Sequence, residues 1–261
     1  MDLSKKIMYN LNSILIVALL FVLILLANEG GYWLGHYFQT RTDEDVKNHT
    51  NTIQAGTLGL LALILGFTFN MALQRYNSRS EAVIDEANAI GTALLRTQLL
   101  PQPYDSLTHA QLQKYITLRL AVSNTGTASV DELQRLNQET RKLQNEIWIS
   151  AVKAARLDPR PVTTGYFISS LNGMIDTYGL RNAALQMHVP EIILYLLFIV
   201  FAMSGALMGY ASGLGRKRTT LPTMTMSFLI CLVVFIIIDL DRPKRGIIKV
   251  KQESMQQLQQ E

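Results

Sequence analysis

Residues 55–100 read AGTLGLLALILGFTFNMALQRYNSRSEAVIDEANAIGTALLRTQLL. The opening AGTLGLLALILGFTFNMAL carries no charge and is about as long as the helix that crosses a bilayer core, about 20 residues. From Gln74 the stretch turns charged, yet no helix breaker interrupts it before Pro101. One helix is therefore expected to start in lipid and end in water. Within its membrane half, Gly59, Ala62, Gly66 and Asn70 recur at spacings of three and four and share a face. Small and polar side chains on one face inside a bilayer either pack tightly on another helix or line something wet.

The bulk composition agrees with a membrane protein. Of 261 residues 49% are hydrophobic and 17% charged, with a mean hydropathy of +0.17, whereas soluble domains carry about 25% charged residues. The net charge of +4 sits beside apolar runs and lacks interleaved aromatics. It reads as topology and headgroup charge, and no nucleic-acid partner is expected. The single Cys231 lies in an apolar run, so disulfides play no part.

Upstream, residues 7–28 contain SILIVALLFVLILLA and form the first span, uncleaved because no small-x-small site follows. Glu29 then marks the headgroup level, and Tyr32, Trp33, Tyr37 and Phe38 an interfacial aromatic belt. A polar, acidic loop over residues 39–51 joins this to the second span.

Beyond Arg75, Val83, Ala87, Ile90 and Leu94 make an apolar stripe, broadened by Ile84 and Leu95. Glu81, Asp85, Glu86 and Arg96 are assigned to the opposite, wet face. Three further helices are predicted. Residues 106–122 place Leu112, Ile116 and Leu120 at spacing four. Residues 129–156 open on a Ser129–Glu132 capping box and carry Leu133, Leu136, Leu143 and Ile147, with Thr140 polar at an expected apolar position. Residues 165–187 follow the proline-rich break 158–161. These helices amount to a bundle rather than a linker.

Pro190 and Glu191 open the third span, where Gly205, Gly209 and Gly213 at spacing four let another helix approach closely. Their small face offers Gly59 and Gly66 a partner within a subunit, which leaves the channel reading to rest on Asn70 and on Arg75 and Tyr76. The fourth span ends at Asp239, and a polar, basic tail follows. Four spans put both termini and the bundle on one side. Ten Lys and Arg flank the membrane there, among them Lys5, Lys6, Arg75, Lys244 and Arg245, against five on the other side, including Arg216, Lys217 and Arg218. That bias places the termini and bundle in the cytoplasm.

Chemistry is hard to find. No phosphate loop, dinucleotide fingerprint or nucleophile elbow is present. His36, His49, His109 and His188 are scattered without ligand spacing, and Asp239 and Asp241 would not share a helix face. No enzyme, metal or cofactor is expected. The polar residues in lipid remain, with Phe67 and Phe69 beside Asn70, where bulky apolar groups at a constriction gate ions by dewetting.

The run LGFTFNMALQRYNSRS, residues 65–80, resembles the signature of bestrophin channels. Together with EAVIDEANAIGTALLRTQLLP and the closing DLDRPKRGIIKV it is more closely similar to the bacterial bestrophin-like membrane proteins, over most of the chain. The resemblance implies a homo-oligomer, pentameric in bestrophins, with the second span of each subunit around a central pore. Gly66, Phe67 and Asn70 would lie near its lining, with Arg75 and Tyr76 at its cytoplasmic end. The acidic calcium cluster that follows the last span in animal bestrophins has no counterpart in this basic tail, so calcium gating is not implied.

The expectation is thus an all-α membrane protein with four transmembrane helices and a cytoplasmic helical bundle inserted between the second and third. Residues 1–76 hold spans one and two, 77–189 the bundle, 190–240 spans three and four, and 241–261 the tail. The expected function is a self-associating ion channel of the bacterial inner membrane that passes small inorganic ions. Its pore-lining candidates are Gly59, Gly66, Phe67, Asn70, Arg75 and Tyr76, while Gly205, Gly209 and Gly213 serve helix packing. The alternative is a non-conducting, membrane-anchored interaction or sensory protein whose bundle binds a partner.

Overall fold

The computed structural model describes residues 11–124, 130–215, 218, 220–243 and 246–260. Ser129 of the expected capping box lies outside them, as do Lys5, Lys6, Arg216, Lys217, Lys244 and Arg245 of the charge count. Among the described residues all regular structure is helical. Among these residues, four helices are long and apolar enough to cross a membrane. The chain divides into two compact units, residues 1–75 with 188–242 and residues 76–187 with 243–261.

The first unit holds α1 (Ser13–Phe38), the first part of α2 (Glu44–Arg96), α6 (Glu191–Leu214) and α7 (Thr220–Asp241). Helix α1 starts where Asn12 accepts the Ile14 N–H at 3.0 Å, satisfying one of the orphan donors of the first turn. It packs along α6 and α7. Its buried residues Ile16, Leu20, Ile24, Gly31 and Gly35 follow one ridge at multiples of three to four. Opposite that ridge Ile14, Leu19 and Leu26 are left exposed, as lipid-facing side chains are.

Helix α1 continues past the headgroup mark at Glu29 to Phe38, with Gly31 and Gly35 as contact points. One expectation changes here. The polar segment expected as a loop over 39–51 is mostly helical: a short turn over Gln39–Arg41 leads almost directly into α2 at Glu44. Glu44 and Asp45 favour that outcome from the first turn, where the positive end of the helix dipole lies, and Lys47 pairs with Glu44 at 3.0 Å.

The second unit holds α2 from Tyr76 onward, α3 (Tyr104–Asn124), α4 (Val130–Leu157), α5 (Tyr166–Gln186) and α8 (Glu253–Gln257). Helix α3 packs on α4, α4 on α5, and the short α8 on α3. Their core contains Ile90, Leu112, Ile116, Ile147, Phe167, Leu171, Met174 and, from the tail, Met255. The stripe Val83, Ala87, Ile90 and Leu94 is buried as expected. Ile84 and Leu95 are not part of it: they are exposed, because an α-helical stripe at 100° per residue leaves those positions on its outer edge. Thr140 sits fully buried without cost, since its hydroxyl donates to the Leu136 carbonyl at 2.8 Å.

The break between α4 and α5 is organised by Asp158. Its carboxylate accepts from Arg160 Nε at 2.7 Å and Thr163 Oγ1 at 2.7 Å. Hydrogen bonds from Arg160 and then Thr163 hold this carboxyl well below the usual carboxylate range.

Candidate functional site

Glycines in the first unit fall into two sets with opposite surroundings. On α6, a Cβ at Gly209 would overlap the Asn28 carbonyl oxygen, and one at Gly213 the Tyr32 carbonyl oxygen. At Gly205 it would come within 3.0 Å of the Ile24 carbonyl oxygen. The contact is mutual, for Gly31 and Gly35 of α1 meet the carbonyls of Ala206 and Tyr210 in the same way. The Asn28 amide adds a hydrogen bond to the Gly205 carbonyl at 3.2 Å. Backbone-to-backbone approach of this kind replaces the hydrophobic drive that lipid cannot supply. Gly31 and Gly35 escaped the sequence reading, which took this stretch as headgroup level and aromatic belt. Their four-residue spacing, matching that of Gly205 to Gly213, was the available signal.

The small face of the third span is therefore taken up by α1, not by α2 as expected. On α2 a Cβ at Gly56, Gly59 or Gly66 would meet nothing within 4 Å among the described residues. Ala62 and Asn70 are exposed, and Phe67 is 62% exposed. Only 17% of the most apolar window of α2 is buried, the lowest share among the four spans, so this helix presents most of its surface outward.

Gly59, Gly66, Phe67 and Asn70 thus come together on one open face, and Gln74 continues it as a further exposed polar residue. Arg75 and Tyr76 do not share it. Five and six positions beyond Asn70 turn them roughly 140° and 120° to either side at about 100° per residue, and both are partly buried.

At the far end of α7, Asp241 ties down the segment that leads into α6. Its Oδ1 accepts the Val189 N–H at 3.0 Å, and its Oδ2 lies 3.4 Å from His188 Nδ1. The residue is structural, and no metal-binding cluster occurs among the described residues.

The second unit carries a charged cluster around Glu86, a residue the sequence reading placed on the wet face. Glu86 is fully buried, because it lies three residues from Val83 and four from Ile90, on the apolar stripe itself. Arg119 Nε and Nη2 donate to its two oxygens at 2.7 and 3.1 Å, and Arg181 donates to Oε2 as well. Arg119 also lies on the buried stripe of its own helix, three residues after Ile116, and its guanidinium stacks over the Tyr178 ring at 4.7 Å. A charged residue inside an apolar stripe on each of two helices was the legible sign of a buried pair.

Burial is the largest influence on both guanidiniums and opposes their charge. Glu86 more than offsets it at Arg119, whose pKa rises, while Arg181, also repelled by Arg119, is pushed down. Both remain charged, as arginine does in proteins. Burial first, and then Glu86, raise the Tyr115 phenol, which accepts from Gln144 at 3.1 Å.

The description "Bestrophin-like domain" covers residues 21–255 of this chain as a family match. No curated protein matches the sequence. Two crystal structures of point variants of a bacterial Bestrophin homolog from Klebsiella pneumoniae share the fold. One superposes with a TM-score of 0.69 at 13% identity, covering 93% of this chain and 95% of the other. The second gives 0.62 at 13% identity, covering 94% and 99%. At that identity the likeness speaks for the fold alone. It runs almost end to end, though, and the family match spans nearly the whole sequence, so this multi-pass helical membrane protein belongs to the Bestrophin-like family.

Proposed function

We propose that the chain assembles into a homo-oligomeric ion channel of the bacterial inner membrane, with α2 of each subunit around a central pore. The observation that carries this reading is the unoccupied face of α2. Among the described residues Gly56, Gly59 and Gly66 have nothing within 4 Å of a would-be Cβ, while Gly31 and Gly35 of α1 and Gly205, Gly209 and Gly213 of α6 are pressed against backbone. An exposed Asn in a span is costly against lipid, and placing it toward water or a second subunit removes that cost. Gly59, Gly66, Phe67 and Asn70 then line the path and Phe67 forms its apolar constriction, while Arg75 and Tyr76, turned off that face, stay out of the lining. Five subunits, as in bestrophins, cytoplasmic termini and a cytoplasmic bundle complete the reading.

Purified protein in planar bilayers is expected to conduct, with Phe67→Ala raising the open probability. A stable oligomer that stays silent, with Phe67→Ala silent too, overturns the proposal. A purified monomer, or an oligomer whose α2 face meets lipid in a cryo-EM map, favours the non-conducting interaction or sensory protein instead.

A further inference from the structure

We propose that the unit formed by residues 76–187 and 243–260 binds a small oxyanion of the phosphate type, held by Arg119, Arg181 and Lys249. The site is a cavity of about 200 Å³ lying wholly within that unit. Arg79, Arg119, Ser123, Arg181, Lys249 and Gln252 supply its polar lining.

Charge balance is the first argument. Arg119 is 1% exposed and Arg181 4%, and they share one carboxylate, Glu86. Among the described residues Glu86 is the buried acid of this unit. Two buried guanidiniums against one carboxylate leave a positive charge that burial makes expensive, and an anion in the adjoining cavity would offset it.

Hydrogen-bond accounting points the same way. Arg119 Nη1 and Arg181 Nε are both buried and have no partner among the described residues. The other donors of the cluster are committed: Arg181 Nη2 to Ser123 Oγ at 2.7 Å and Gln252 Oε1 at 2.8 Å, and Arg79 to the carbonyls of Ala184 and Met187 at 3.3 and 2.6 Å. Water would quiet the two orphan donors but would leave the charge. An oxyanion does both, because its several oxygens can accept from diverging guanidinium N–H groups while bearing the opposite charge.

About 10–15 Å³ holds one water, so the cavity has room for a phosphate and accompanying waters. Lys249 and Gln252 reach the site from the C-terminal tail, whose Met255 is fully buried in the core, so the tail completes the wall. The proposal does not depend on ion conduction.

The test is thermal unfolding and calorimetric titration of the full-length protein in detergent, with inorganic phosphate against sodium chloride at matched ionic strength. Phosphate is expected to raise Tm saturably, as a ligand of the folded state must, and chloride is not. Lys249→Glu reverses an exposed charge at the mouth, and its phosphate response is read against its own phosphate-free Tm. It is expected to weaken phosphate binding about tenfold, comparable to losing a charge-assisted hydrogen bond. Arg119→Lys, which keeps the charge and loses the fork, should weaken binding further. Competition by phosphatidic acid micelles would identify the phosphate source as a lipid headgroup, and absence of competition a free phosphate. Equal stabilisation by chloride, no saturable response, or unaltered phosphate binding by Lys249→Glu overturns the proposal.

Discussion

Gly209 of α6 lies against the main-chain carbonyl of Asn28 on α1, with no room for a methyl group between them. The Asn28 side chain then bonds the Gly205 carbonyl one turn away, so the two helices are fixed in register as well as in distance. Gly209→Ala is expected to lower stability by about 1–3 kcal/mol, since backbone rather than a flexible side chain would have to move. Gly30→Ala, one residue from the zipper and with nothing within 4 Å of its Cβ, is expected to be neutral or slightly stabilising. Thermal unfolding of the two variants in the same detergent separates them.

Glu86 holds two buried guanidiniums. Glu86→Gln keeps its size and removes the charge both require, which is expected to cost about 3–5 kcal/mol. Asp85→Asn, next door but exposed, should leave stability within about 0.5 kcal/mol. Limited proteolysis of residues 76–187 across a denaturant series would read the difference.

Asp158 gives a pH signature. Its folded pKa is depressed by the hydrogen bonds from Arg160 and Thr163, so its contribution is present above the unfolded value of about 3.9 and is lost as pH falls below it. Asp158→Asn should therefore unfold at lower temperature than the parent at pH 7, and the gap should narrow as the pH is taken below 4. A gap that persists undiminished at pH 3 would show that the turn is held by other means.

The tail is part of the second unit. Met255 is fully buried, so Met255→Ala is expected to cost about 2–5 kcal/mol and to speed hydrogen exchange in α3, against which α8 packs. An unchanged exchange pattern would mean that the tail rests on the unit without supporting it.

If α2 surrounds a pore, Asn70→Asp places a ring of carboxylates in it. Cation permeability relative to anion permeability is expected to rise, read as a shift of reversal potential in asymmetric salt. No shift in a conducting variant would remove Asn70 from the lining.

Hydropathy and period alone marked the four apolar helices, because burial in lipid demands about 20 uncharged residues each and leaves little room for ambiguity. The stripe from Val83 to Leu94 and the Asp158–Pro161 break were equally legible, since both follow from local backbone geometry. The small face of α2 was visible too, as residues at spacings three and four. What lies against that face was not, for spacing tells which side chains share a side and not what they meet. The glycines of the third span were expected to meet α2, and the tertiary structure gives them to α1, whose own Gly31 and Gly35 complete the zipper. Glu86 was sent to water because a carboxylate usually belongs there. Only the arrival of Arg119 and Arg181, 33 and 95 residues away along the chain, makes its burial affordable. Periodicity is a property of one helix and can be read from one stretch of sequence. Pairing of faces and of buried charges belongs to two helices at once, and it is settled only where the fold brings them together.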